Sequence, residues 1–429
     1  MHNHPIYSDH TSRPRPREKA VNLDMLAGRG LVIATALNLN GAFNMIFNVG
    51  QAVSILMLAL SIFLIIRLGK AAWSTHLLLF ILSITSYIIF GYIFSSPINR
   101  VETSYIYASI YFGTILITWA ASASYLSAAR SGKAYEFLGF CRNTFIVTAA
   151  GVWASPFLYT FYINAPPSMA DRMSGFFGNP NEAGAASAAG LALVLGLPYR
   201  QKILTIAGIT VCFGAIVLTF SKTAIILGIF IVALAVLQRL RGLARLISVF
   251  TAIILIHFVQ QPRSLFDALA AQSLVELSGE QQRRIAQMGD VLAGDLTVEN
   301  TTGRTDMWSL GLERIMTNFP AGQGLGSYHF LEGGYYENGV LQGVHNTFLM
   351  LTGEAGLPAL ILFLAFCSLT LSDLLRNREL RFALFLALVL FSVLISGHNT
   401  LSLRFIDLII GIIIGALLVA RRTTLARRM

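Results

Sequence analysis

Residues 74–95 read STHLLLFILSITSYIIFGYIFS, 22 consecutive positions without an aspartate, glutamate, lysine or arginine. At 1.5 Å of rise per residue, a helix of that length crosses the roughly 30 Å hydrocarbon layer of a bilayer. Working outward, similar apolar runs recur near 30–47, 50–66, 104–128, 142–163, 182–198, 202–220, 222–238, 244–260, 346–372, 380–397 and 403–420. Backbone N–H and C=O groups in lipid must be satisfied within the spanning element, so such runs are expected to be helices. The expected fold is all-α: one polytopic membrane protein of about twelve transmembrane helices, with a large helical outer loop between the ninth and tenth. In residue terms this gives a tail 1–26, helices one to nine over 27–260, the loop 261–345, helices ten to twelve over 346–420 and a tail 421–429.

Composition agrees with the runs. The 429 residues are 55% apolar and 12% charged, with a mean hydropathy of +0.66, whereas soluble domains carry about a quarter charged residues. A soluble enzyme is excluded. The apolar run after Arg13, Arg15, Arg17 and Lys19 has no persuasive cleavage site and reads as a retained first helix. Cys141, Cys212 and Cys367 lack CxxC spacing, so neither a disulfide framework nor a zinc site is expected. Duplicated halves, the mark of many transporters, are not visible.

The formal charge of +10 invites a nucleic-acid reading until the charges are placed. If the N-terminus is cytoplasmic, 22 of the 31 lysines and arginines fall on that side of the alternating connections. Cytoplasmic loops hold positive charge in this way, so no nucleic acid is needed to account for it and the partner is the lipid bilayer. The nine outer cations are Arg100, Arg172, Lys222, Arg263, Arg283, Arg284, Arg304, Arg314 and Arg404. All connections are short except 261–345, and function is expected there. Residues 264–293, and the recurrence of Met307, Trp308, Leu312, Ile315 and Phe319, read as amphipathic helices over the mouth of the bundle.

Four clusters carry polar chemistry toward that side. The first is Arg172 followed by Met-Ser-Gly-Phe-Phe-Gly-Asn-Pro-Asn181-Glu182, where Asn179 and Asn181 are candidate N-caps and Pro180 and Glu182 suit a helix start. The second is Ser221-Lys222-Thr223 at a hairpin. A cation at a helix N-terminus opposes the macrodipole by about 0.3–1 kcal/mol, which a bound anion would offset; a lysine snorkelling to the interface is the bland alternative. The third, Gly303-Arg304-Thr-Asp306-Met-Trp308, repeats that placement, with Arg304–Asp306 pairing as its bland reading. The fourth is His345-Asn346-Thr-Phe-Leu-Met-Leu-Thr-Gly-Glu354-Ala-Gly356. On an unbroken helix Leu349, Thr352, Gly356 and Ala359 share the His345 stripe, and Glu354 points away from it.

A carboxylate pair of glycosidase type, HExxH and DxD patterns are not evident, and the 322–326 glycines do not follow a strand as a nucleotide cradle would. Neither a metal nor a cofactor is expected. His2, His4 and His10 read as part of a disordered tail, His76 and His257 have no assigned role, and His398 is a secondary candidate.

In order and placement these clusters, together with Pro320-Ala-Gly-Gln-Gly-Leu-Gly326, resemble the O-antigen ligase and polymerase superfamily. The resemblance covers most of the chain. It implies a metal-independent glycosyltransferase of the bacterial inner membrane, with both termini cytoplasmic and the loop 261–345 periplasmic. The donor would be an undecaprenyl-pyrophosphate-linked glycan, and the acceptor either lipid A-core (a ligase) or another lipid-linked repeat (a polymerase). The cations matching Lys222 and Arg304 would hold the pyrophosphate, and His345 would act on the acceptor. Arg172 and Asn346 are the further substrate-binding candidates. Lys222 stands where the family usually has arginine, and Ala359 is a second departure from the ligase pattern. A lipid-linked oligosaccharide transporter or flippase, and a polysaccharide-binding scaffold, are the alternatives.

Overall fold

The computed structural model describes residues 23–96, 104–163, 172–240, 278–292, 297, 303–329, 336–337, 340–341, 343–397 and 400–426. The helices longer than two turns are α1 (Leu23–Ala36), α2 (Leu39–Phe47), α3 (Gly50–Leu68), α4 (Thr75–Phe94), α5 (Ser104–Arg130), α6 (Ala134–Trp153), α7 (Pro180–Gly196), α8 (Lys202–Leu218) and α9 (Lys222–Arg239). They continue as α10 (Gly279–Leu292), α11 (Arg304–Asn318), α12 (Thr347–Ala355), α13 (Leu357–Arg376), α14 (Arg381–Ser396) and α15 (Arg404–Ala426). Among the described residues, a two-residue antiparallel ladder, Tyr336–Glu337 against Val340–Leu341, departs from the helical pattern.

Among the described residues, five helices are long and apolar enough to cross a membrane, or seven when each bent pair counts as one span. Helices occupy eleven of the twelve expected runs; the run 244–260 and residues 261–277 lie outside the described residues. Three boundaries are corrected by tertiary structure. The first run bends by 61° between α1 and α2, where Asn38 takes a left-handed φ of 48°, and α1 begins within the expected tail, at Leu23. The fifth begins at Ala134 and turns by 71° after Trp153. Its polar first turns were hidden from a hydropathy reading because Glu136 pairs with Arg29 of α1, and Arg142 is buried under the Tyr199 ring while donating to Leu197 O.

The tenth run is broken at Gly356, with φ +77° and ψ −170°. That conformation is nearly closed to residues with a Cβ, and a Cβ there would lie 2.5 Å from Pro320 O. The stripe running from His345 to Ala359 is therefore not one helix face: α12 starts at Thr347 and ends before Gly356. Gly356→Ala should cost about 1–3 kcal/mol in unfolding free energy; a detergent-solubilised variant melting with the wild type would contradict this reading of the break.

Packing is closest where side chains are smallest. Helix α7, PNEAGAASAAGLALVLG, is buried along nearly its whole length and packs on α6, α8, α9 and α14. A Cβ on Gly184 would stand 2.8 Å from Ala224 Cβ, and one on Gly196 2.5 Å from Phe382 Cα. Gly411 and Gly415 of α15 likewise meet Thr118 O, Ala121 and Tyr125 of α5. Amphipathic α11 buries Met307, Gly311 and Ile315, whereas Leu312 and Phe319 of its expected apolar stripe are exposed. The glycines at 322–326 are a packing strap: Gln323 N–H and Gly324 N–H donate to Gly353 O and Glu354 O, and Leu325 N–H donates to Gly91 O.

Candidate functional site

Four helix N-termini meet at one cavity of about 90 Å³. Helix α7 supplies Asn179, Asn181 and Glu182; α9 supplies Ser221 and Thr223; α11 supplies Arg304; and the turn entering α12 supplies His345. Val393, Ser396, Gly397 and Leu403 complete much of the opposite wall. Each N-terminus carries about half a positive charge in its N–H groups, so four together favour an anion.

Two of the helices are capped by their own sequence. Asn179 Oδ1 accepts from Asn181 N–H at 2.8 Å, and Asn346 Oδ1 accepts from Phe348 N–H at 3.0 Å and Leu349 N–H at 3.1 Å. The two that begin with cations differ: neither Ser221 nor Gly303 gives a side-chain cap. The hairpin before Lys222 is sharpened by Phe220 at φ 48°, a left-handed conformation uncommon for a bulky residue and characteristic of constrained sites.

The cations gather around these N-termini. Lys222 Nζ donates to Gln287 Oε1 of α10 at 2.9 Å, and Arg304 Nη1 donates to Thr223 Oγ1 at 3.2 Å. Arg284, Arg304, Arg283 and Arg172 are all near enough to act electrostatically on Lys222. Five of the nine cations expected on the outer side thus form one group. Arg172 is buried and serves partly as a tie: its Nε donates to Thr219 O at 2.8 Å and its Nη2 to Asn181 Oδ1 at 2.9 Å. It reaches the cavity through Asn181.

Among the sequence-expected residues, Arg304 and His345 line the same cavity, Lys222 stands between the lining residues Ser221 and Thr223, and Asn346 holds the helix end beside it. His345 is further placed by Trp308, whose Nε1 donates to His345 O at 3.2 Å. His398 lies outside the described residues, as do His2, His4, His10 and His257. In the sequence Arg283 and Arg284 are two of the outer cations without a role, since nothing local says that α10 comes to Lys222 at the start of α9. Among the described residues, His, Cys, Asp and Glu side chains do not form a group of three able to hold a metal.

A second buried network holds the frame of the site. Glu354 is fully buried; its Oε1 accepts from Tyr328 N–H at 3.0 Å and lies 3.0 Å from His329 Nδ1. Its Oε2 accepts from Tyr87 OH. Tyr328 O in turn accepts from Val344 N–H at 3.0 Å, next to His345, and Tyr328 OH donates to Gly311 O of α11 at 3.3 Å. Burial pushes the Tyr328 phenol up to about 12, with Arg314 lowering and Glu354 raising it, so it stays a donor at working pH. Neither Glu354 nor His329 was assigned from sequence, and a lone histidine beside a glycine-rich strap carried no signal.

The site lies at one end of the long helices. Leu403 lines the cavity at the start of α15, while Arg422, near the other end, donates to Ala71 O at 2.8 Å, roughly 27 Å along the helix from Arg404. At that far end Arg67, Lys70 and Arg130 surround another cavity, so the two ends of the bundle hold separate groups of positive charge.

No curated protein matches the chain. Residues 206–364 match the O-antigen ligase family, a stretch that includes Lys222, Arg304, His345, Asn346 and Glu354 and leaves out Arg172 and α7. Over residues 206–364, rather more than a third of its length, the chain is therefore similar to the O-antigen ligase family.

Proposed function

We propose that this membrane protein transfers a glycan from undecaprenyl pyrophosphate to an acceptor hydroxyl, on lipid A-core or on another lipid-linked repeat, at the periplasmic face of the bacterial inner membrane. The observation that carries the proposal is the convergence of four helix N-termini on the cavity that Arg304 and His345 line, beside a group of five cations centred on Lys222. Such a site suits a diphosphate.

In the proposed step the acceptor oxygen attacks the anomeric carbon, forming the new glycosidic bond. The bond from that carbon to the pyrophosphate oxygen breaks, and the electron pair leaves with undecaprenyl pyrophosphate. Direct displacement inverts the anomeric centre. Lys222 and Arg304, with Arg283 and Arg284 beside them, stabilise the charge that grows on the leaving group. A unit charge pair at 4 Å contributes about 4 kcal/mol at an effective dielectric of 20, before desolvation. His345 takes the proton of the acceptor hydroxyl. Arg172 holds Asn181 in the wall of the site, and Asn346 holds the turn that presents His345. With these groups the step needs no metal.

Purified protein in proteoliposomes, given lipid-pyrophosphate-linked glycan and an acceptor, should form a new glycosidic bond. Movement of the donor across the vesicle membrane without bond formation would replace this reading with that of a transporter. Lys222→Gln should raise the donor KM about tenfold and leave the acceptor KM near its wild-type value, since a charge-assisted hydrogen bond contributes about 1.5–3 kcal/mol. An unchanged donor KM would remove Lys222 from the clamp.

A further inference from the structure

The cavity wall contains one carboxylate that the proposed step does not use. Glu182 is the single ionisable residue of α7, a helix otherwise made of alanine, glycine, small polar and aliphatic residues, and it faces the cavity together with Arg304 and His345. In a capping box, the glutamate at the third helical position reaches back to the N–H of the capping residue. Here it does not. Among the described residues, the Glu182 carboxylate has no hydrogen-bond or ion-pair partner, and its own N–H donates to Asn179 O. Glu182 is half-buried on an otherwise buried helix, and a carboxylate partly withdrawn from water costs free energy where its acceptor sites stay unfilled.

The chemistry limits what fills them. A carboxylate accepts hydrogen bonds and repels diphosphate, so a sugar hydroxyl suits it and the pyrophosphate does not. Its neighbours Asn179 and Asn181 are uncharged polar groups, while the rim cations lie around Lys222. Arg172 is already tied to Asn181 Oδ1, so in this mixed lining Glu182 is the group left to accept from hydroxyls.

We infer that Glu182 is an acceptor-binding residue: its carboxylate, on the wall shared with His345, accepts hydrogen bonds from hydroxyls of the acceptor glycan. The inference deepens the transferase reading and rests on it for the identity of the acceptor. Glu182 holds the sugar ring so that one hydroxyl lies toward His345. The proton in the transfer step still goes to the imidazole.

Two measurements test this. In the transfer assay, Glu182→Ala should raise the acceptor KM about 10–100-fold, with the donor KM within twofold of wild type. Glu182→Gln, which keeps one acceptor oxygen, should recover part of the loss. An acceptor KM within twofold of wild type for the alanine variant, or donor and acceptor KM rising together, would overturn the assignment. The second measurement needs no turnover: equilibrium binding of deacylated lipopolysaccharide core oligosaccharide and of a water-soluble single repeat to the full-length protein in detergent. At least one should bind the wild type, and Glu182→Ala should weaken it tenfold or more at an unchanged melting temperature. Equal binding to both proteins, or no binding of either probe to the wild type, would overturn the proposal. Binding that depends on Glu182 without any glycosyl transfer would sink the transferase reading and leave the sugar site standing.

Discussion

His345→Ala should slow glycan transfer by about 10²–10⁴-fold, the usual contribution of a positioned general base, while leaving protein level and melting temperature near wild type. The reason to expect a clean loss is that the backbone at this position is held independently of the imidazole. Trp308 Nε1 donates to His345 O, Asn346 caps the helix that follows, and Val344 N–H donates to Tyr328 O. Removing the ring therefore removes proton transfer and leaves the cationic group and the helix N-termini in place. Single-turnover rates with saturating donor and acceptor are the measurement. A loss of threefold or less would show that the proton goes elsewhere and that His345 only shapes the cavity.

The second large effect is expected at Glu354, on stability. Its carboxylate joins Tyr87 of α4, the backbone of Tyr328 and the His329 ring, and Tyr107 covers that ring at 4.2 Å between centroids. Glu354→Ala strands several buried polar groups at once, and removing one partner from a buried, hydrogen-bonded pair costs about 3–5 kcal/mol. Chemical unfolding in detergent should show a loss of that size, together with a fall in the amount of folded protein. Glu354→Gln keeps an oxygen for the Tyr328 N–H and should lose markedly less. If the alanine variant unfolds with the wild type, the network does not hold the strap and the His345 turn together. Tyr328 touches both through its backbone and through its phenol on Gly311, so activity should fall further than stability alone requires.

These two residues sit within ten positions of each other, and one was readable in the chain while the other was not. His345 is legible at the outer end of a stripe of small residues, in the company of the outward cations. Glu354 looked like a charge on the far side of a continuing helix. Gly356 ends that helix, and the strap 320–326 turns back onto it, so the carboxylate meets a histidine 25 residues away. Lys222 and Arg304 were legible for a different reason: each begins a helix, a local position with a known electrostatic sense. Glu182 was legible only as a helix-start residue, because its missing capping bond is visible only once the turn has a geometry.

The helices α3, α4, α8, α9 and α14 fall within a few residues of the apolar runs that announced them, because hydropathy and backbone hydrogen bonding in a helix both act over one turn at a time. Breaks at Asn38, Ala154 and Gly356 escaped, since a bend changes no local hydropathy. The meeting of four helix ends at one cavity, the gathering of Arg172, Lys222, Arg283, Arg284 and Arg304, and the Glu354–His329 contact all join residues far apart along the chain. Such contacts arise from how small-residue faces such as α7 and the Gly411–Gly415 ridge let whole helices approach, and helix approach is a property of paired surfaces that no single segment contains.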